Sequence, residues 1–273
     1  MPTSLLVRRL SLAELLFWPA LVAYGEAAVA YAGNVRHPGA LGRAATWGVR
    51  LGWVVQTALL VAQAARADGF PWSSWAGSLN LFVWLVVTVY LVWGCRPRYR
   101  LLGLMVMPLA AGLLAVSYAA GGIADPDERH LSTAFLVLHV GLVLAAFAGF
   151  TLSAGLAGLY LWQERRLKRR EAGILRVATP SLLSLDELAA RTIAVALPAL
   201  TAGVGIGLAR LVDRGVNVDA LMAATLMAWA VYAVLLLVRY GFGWRGRRIA
   251  YLVLTGFALV IAVRLGLPAT HFA

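Results

Sequence analysis

Cysteine and lysine are almost missing from this chain. One cysteine, Cys95, excludes an intrachain disulfide, a CxxC redox pair and a thiolate metal cluster, and it reads as a packing residue. Lysine occurs once, at Lys168; the rest of the positive charge is arginine. Charge of either sign is scarce at 13% of 273 residues, about half the roughly 25% of a soluble domain. So little charge cannot coat a globular surface. With 62% hydrophobic residues, the chain needs an apolar solvent, and the lipid bilayer supplies one. The sequence has no HExxH, Walker or GxSxG motif, so nothing points to nucleophilic or nucleotide chemistry. No stretch fits a soluble domain. The longest polar run, Gln163 to about Arg191, reads as an amphipathic cytoplasmic loop within a single membrane domain covering 1–273.

What is present is apolar length. A membrane span takes ~20 mainly apolar residues. Such stretches lie near 11–32, 44–65, 78–95, 101–119, 131–161, 192–211, 218–238 and 249–266. The fold class is therefore all-α: a polytopic integral membrane protein of about eight transmembrane helices. Arg50, near the start of the second stretch, makes that span the least regular.

The net charge of +12 does not indicate a nucleic-acid partner, because the arginines sit in short clusters between apolar stretches. They report topology instead. Odd-numbered loops hold Arg36 and Arg43, then Arg96, Arg98 and Arg100, then the Arg165–Arg176 cluster, then Arg239, Arg245, Arg247 and Arg248. Even-numbered loops hold only Arg66, Arg129, Arg210 and Arg214. Odd loops are thus expected in the cytoplasm and both termini outside, although Arg8 and Arg9 pull the other way. The first stretch also resembles a signal peptide with a site at Ala28-Val29-Ala30. Its length and Glu26 favour an uncleaved helix.

Local signals refine the picture. The run from Gln163 to Arg170 reads as the basic cytoplasmic end of a long helix. Pro180 breaks the chain, and Ser184 with Glu187 has capping-box spacing, so the next helix is expected to start at Ser184. Gly203 and Gly207 form a GxxxG step in the sixth span. Gly149, Ser153 and Ala157 line one face of the fifth, and such small residues let helices approach closely in lipid.

Candidate chemistry rests on few residues. Of His37, His130, His139 and His271, the last three fall on the outer side. His139 lies 25 residues, or ~37 Å of helix, before Glu164, so it sits at the outer interface if Glu164 sits at the inner one. His271 follows the last span, also outside. Two outer imidazoles from different helices can serve as axial ligands of one haem iron. Zinc is a second metal compatible with this side, since Asp125, Asp127 and Glu128 lie near His130. Trp72 and Trp75, in the second loop beside Pro71, read either as interfacial belt anchors or as a stacking floor for a flat ligand. Glu26 is the only carboxylate deep in a span.

Several stretches in order carry a resemblance. Gly69-Phe70-Pro71 leads into a helix with Trp84, and Arg100-Leu101-Leu102-Gly103 leads to Met107-Pro108-Leu109. Then come Leu138-His139, Tyr160-Leu161-Trp162-Gln163-Glu164-Arg165 and Pro180-Ser181-Leu182 with Leu185-Asp186-Glu187-Leu188. The last are Trp229-Ala230-Val231-Tyr232-Ala233 and Gly243-Trp244-Arg245-Gly246-Arg247-Arg248. This set resembles the cytochrome c assembly family of membrane proteins in its short CcsA/HemX-like form, over nearly all the chain after residue 40. The resemblance implies a bacterial-type inner (plasma) membrane protein that holds b-type haem non-covalently at the outer face, as a carrier rather than a turnover enzyme. It implies His139 and His271 as iron ligands; with haem held there, Arg129 or Arg210 is expected to pair with its propionates and Trp72 and Trp75 to serve as the stacking floor. Other cytochrome c assembly membrane proteins are the implied partners. The chain departs from the family at the loop from Arg210 to Val218, which has no tryptophan, and at Val234-Leu235-Leu236-Leu237, which has no histidine. These departures keep open a non-haem scaffold or regulator of tetrapyrrole synthesis. Glu26 keeps open a small-molecule transporter.

Overall fold

The computed structural model describes residues 11–36, 39–66, 72, 74–93, 99–122, 133–169, 180–214 and 220–266. These form eight helices: α1 (Leu12–Arg36), α2 (Ala40–Ala64), α3 (Trp75–Trp93), α4 (Arg100–Ala119), α5 (Thr133–Lys168), α6 (Leu182–Arg214), α7 (Ala220–Gly241) and α8 (Arg247–Gly266). No strand occurs among the described residues. Lipid offers no hydrogen bonds to exposed backbone, so helices that satisfy themselves are what such a sequence can form. Helices α1 to α7 are long and apolar enough to cross a membrane. With 20 residues, α8 is ~30 Å long, the thickness of the hydrocarbon core. The eight expected spans correspond one to one with these helices. Arg50 and Ala28–Ala30 both lie inside continuous helix.

The helices pack as two groups, α1 to α5 and α5 to α8, that share α5. One core gathers Phe17, Tyr24, Val87, Leu102, Met107 and Leu114 from α1 to α4, and α5 closes it with Leu152 and Leu156. The other gathers Phe150, Ile193, Leu200, Tyr232 and Val253 from α5 to α8. In the second, the Phe150 and Tyr232 rings stack at 3.8 Å and 9°. The first group closes tightly where Tyr90 donates to the Tyr31 hydroxyl at 2.9 Å. Gly103 on α4 faces both rings, and any Cβ there would overlap them.

Helices α2 and α3 are joined by a reciprocal exchange. Trp53 Nε1 donates to Thr88 Oγ1 and Trp84 Nε1 donates to Thr57 Oγ1, both at 2.8 Å. Each threonine returns its own proton to the tryptophan carbonyl one turn back on its helix, at 2.7 Å. The two indoles stack at 5.8 Å.

The two ends of the bundle differ. One carries Arg165, Arg166 and Lys168 at the end of α5, together with Arg239, Arg247 and Arg248, and is here called the basic end. Its centre is Asp186 on α6. Asp186 Oδ2 accepts from Arg239 Nη1 at 2.9 Å, and Oδ1 accepts from the Gly246 amide at 3.0 Å. Both charged side chains are buried, 5% and 7% exposed. Gly246 has φ 74°, which favours glycine, and Tyr160 Oη stands 3.0 Å from where its Cβ would be. One carboxylate thus fixes the start of α6, the end of α7 and the turn into α8.

The start of α6 differs from the sequence expectation. The helix begins at Leu182, and the capping hydroxyl is that of Ser181, which accepts from the Ser184 amide at 3.2 Å. Ser181 follows Pro180 directly and meets the first turn earlier than Ser184 can. Glu187 instead pairs with Arg191 along the exposed face. On α5, the helix runs to Lys168, where Glu164 and Lys168 pair at 2.7 Å, as the basic run suggested.

Removing one partner of a buried ion pair strands the other charge, at a cost of about 3–5 kcal/mol. Asp186→Ala is therefore expected to lower the thermal midpoint of the detergent-solubilised protein sharply. Asp186→Leu with Arg239→Met should recover most of the loss. Equal midpoints for Asp186→Ala and the native chain would show that the clamp does not hold the helices.

Candidate functional site

The far end of the bundle carries the sequence-nominated groups. Its histidine lies in the seam between α5 and α6, and small residues create that seam. Gly149 faces Ala196, whose Cβ would stand 2.8 Å from a Cβ at 149. Ser153 donates to the Ala189 carbonyl at 3.1 Å. Nearer the far end, Gly203 meets Val143 and Gly207 meets the His139 ring. The GxxxG step is therefore a cradle: a Cβ at 207 would lie 2.6 Å from His139 Cε1.

The ring is also oriented. His139 Nδ1 lies 2.8 Å from the Gly203 carbonyl oxygen. A carbonyl only accepts, so Nδ1 carries a proton and donates it there. Histidines that bind metals are commonly set this way, with the second nitrogen donating to a carbonyl or carboxylate. The ring is half-buried, beside the exposed Val137 and Leu138.

A second constellation holds the tryptophans. Trp75 opens α3 and is 39% exposed. Trp72 is half-buried, its indole N–H reaching Gln63 Oε1 at 3.4 Å and its carbonyl accepting from Ser78 at 2.8 Å. Gln63 Oε1 also accepts from Asn80 Nδ2 at 3.1 Å. Asn80 Oδ1 accepts from Gln56 Nε2 at 3.0 Å, and Gln56 Oε1 accepts from Tyr24 Oη at 2.7 Å. Gln63 Nε2 finishes on the Gly122 carbonyl past the end of α4, at 3.1 Å. Gln56, Asn80 and Tyr24 are fully buried. This relay crosses α1, α2 and α3, ends beside α4, and pins Trp72 to the bundle.

Sequence reading missed the relay and the Asp186 clamp. Two glutamines one heptad apart in the second span, Gln56 and Gln63, were the available signal for the first. The repeated Trp-x-x-x-Thr of α2 and α3 signalled the tryptophan–threonine exchange. Of the other nominated residues, Arg210 lies on α6 one turn beyond Gly207. His271, Arg129 and His130 with its acidic neighbours lie outside the described residues. Among the described residues no group of three or more histidine, cysteine, aspartate and glutamate side chains is placed to hold a metal ion. Glu26 lies on the exposed side of α1.

The structure defines the class: a polytopic helical membrane protein with an oriented histidine and an anchored tryptophan at one end. The family model for "Cytochrome C assembly protein" matches residues 72–269, most of the chain, and the chain belongs to that family. The match begins at Trp72, just before α3. The chain is 26% identical to the cytochrome c biogenesis protein CcsA of Synechococcus elongatus, covering 81% of this chain and 83% of that one. It is 25% identical to the CcsA of Heterosigma akashiwo, over 72% and 73%. Protein HemX of Brevibacillus brevis is 25% identical, over 69% and 71%. No solved structure matches.

Asn80→Leu removes one bond from the Gln56 amide, which keeps the Asn80 backbone carbonyl at 3.2 Å, and one from Gln63 Oε1, which keeps the Trp72 indole at 3.4 Å, at about 1 kcal/mol each. The expected result is a lower thermal midpoint and faster proteolysis around Trp72. A variant as stable as the native chain would show that the relay is not what holds that segment.

Proposed function

We propose that this protein acts in cytochrome c assembly by holding haem at the outer face of a bacterial-type inner membrane, as a carrier or chaperone rather than a turnover enzyme. The observation that carries the reading is the His139–Gly203 bond inside the Gly203/Gly207 cradle. It orients the ring as metal-bound histidines commonly are, with Nδ1 donating to a carbonyl, at the end opposite the arginine-rich one, which the positive-inside rule assigns to the outside. The relatives named for cytochrome c biogenesis and the family match support the assembly role.

His139 would supply one axial bond. His271 is the proposed second: α8 runs from the basic end and stops at Gly266, five residues before it. Haem, when bound, supplies an iron centre that accepts two imidazoles. Arg210, one turn past the cradle, and Arg129 would pair with propionates. Trp72, fixed by its bond to Gln63, and Trp75 would cover the macrocycle. Other cytochrome c assembly membrane proteins would receive or deliver the haem.

The reading is tested by optical spectra of the purified protein, oxidised and reduced, with and without added haem. A six-coordinate spectrum is expected for the native chain and should be lost in His139→Ala and in His271→Ala. Gly207→Leu should weaken it as well, because the side chain would displace a ring that is otherwise intact. Binding indifferent to both histidines would refute the site. Normal c-type cytochromes in a deletion strain would refute the assembly role.

A second reading, a non-haem scaffold or regulator of tetrapyrrole synthesis, draws on the HemX relative and on the tryptophan-free loop after Arg210. The basic tail of α5 and the run beyond it, 163–176, would then dock a soluble partner. Co-purification in mild detergent should recover that partner, and deletion of the run should release it. Recovery of none would count against this reading.

A further inference from the structure

Glu26 and Arg50 are two opposite charges inside spanning helices. Both are exposed on the outside of the bundle. Glu26 lies ten residues before the end of α1 at Arg36, and Arg50 ten residues after the start of α2 at Ala40. Each is therefore ~15 Å along its helix from the basic end. Packing confirms the level: a Cβ on Gly48 would meet Ala23 and Ala27, and one on Gly52 would meet Tyr24 and Ala23. Residue 50 thus lies within a turn of Glu26 in depth.

The two do not pair with each other. Among the described residues Glu26 makes no hydrogen bond or ion pair, and Arg50 meets only the exposed Trp47 ring, at 5.2 Å. The surroundings are apolar: Leu15, Val22 and Val29 stand exposed on α1, and Leu51 and Val54 on α2. Charged side chains at this depth are costly against lipid unless they meet a partner or reach the headgroups.

We infer that this face of α1 and α2 is covered by a second copy of the same chain, with Glu26 of each copy paired to Arg50 of the other. Charge complementarity selects the occupant. A two-fold contact brings the same patch to itself, so residue i meets j and j meets i. Opposite charges at one depth are what such a contact needs, and this chain carries both. A different protein would need its own acid and base at matching depths.

The test uses the full chain in liposomes. Two tagged versions, both with Cys95→Ser, carry Glu26→Cys and Arg50→Cys respectively and are oxidised after co-expression. The mixed link should exceed the Glu26→Cys self-link several-fold. In parallel, energy transfer between labelled copies reports dimer affinity. Glu26→Arg alone and Arg50→Glu alone should each weaken the dimer ~10-fold or more, about 1.4 kcal/mol, while the double exchange restores it. Restoration would also show that the exchanged helices fold. A monomer at all protein-to-lipid ratios, a dimer indifferent to the exchanges, or cross-linking only to another membrane protein would each overturn the inference.

Discussion

The close approach of α5 and α6 is the contact on which the rest of the bundle depends. It exists because residues without bulk meet along its length: Gly149 against Ala196, Ser153 against the Ala189 carbonyl, Gly203 against Val143. Helices in lipid gain little from the hydrophobic effect, so such van der Waals contact is a main source of their association. Because α5 belongs to both groups, the seam also sets how the halves meet. The histidine is part of the seam rather than an addition to it, and its ring takes the space a side chain at 207 would fill.

The buried amides of α2 and α3 are not scattered. From Tyr24 to Gly122 they form one relay, each side chain satisfied by the next. In a low-dielectric interior an unpaired amide is expensive, so such a relay tends to be complete or absent. Here it ends on Trp72, the residue at which the family match begins. Stability of the first group and placement of the far-end tryptophan are thereby one problem with one solution.

Much of this could be read from the chain before its fold was known. Apolar length located all eight helices, because ~20 apolar residues per span is a strong signal. Small-residue spacing located the α5–α6 face, with Gly149, Ser153 and Ala157 on one side and Gly203 and Gly207 on the other. The helix start near Ser184 was misplaced because Ser181 has the same hydroxyl chemistry and stands nearer the proline. The relay and the Asp186 clamp were illegible for another reason. Their partners lie on different helices or the turns beside them, from 9 to 60 residues apart in the chain. Spacing within one helix says nothing about which polar side chains meet across several. His139 was nominated by depth and resemblance, but its orientation depends on a backbone carbonyl that no side-chain pattern reveals.

The carboxylate of Asp186 bears on the order in which the protein is built. Its two partners, Arg239 and the Gly246 amide, are synthesised 53 and 60 residues after it. When α6 leaves the ribosome, that carboxylate has no ally in the chain already made, and it must keep its water until α7 arrives. The clamp can therefore form only once the chain has been made as far as Gly246, so the start of α6 is the part of the second group that waits longest for its partners.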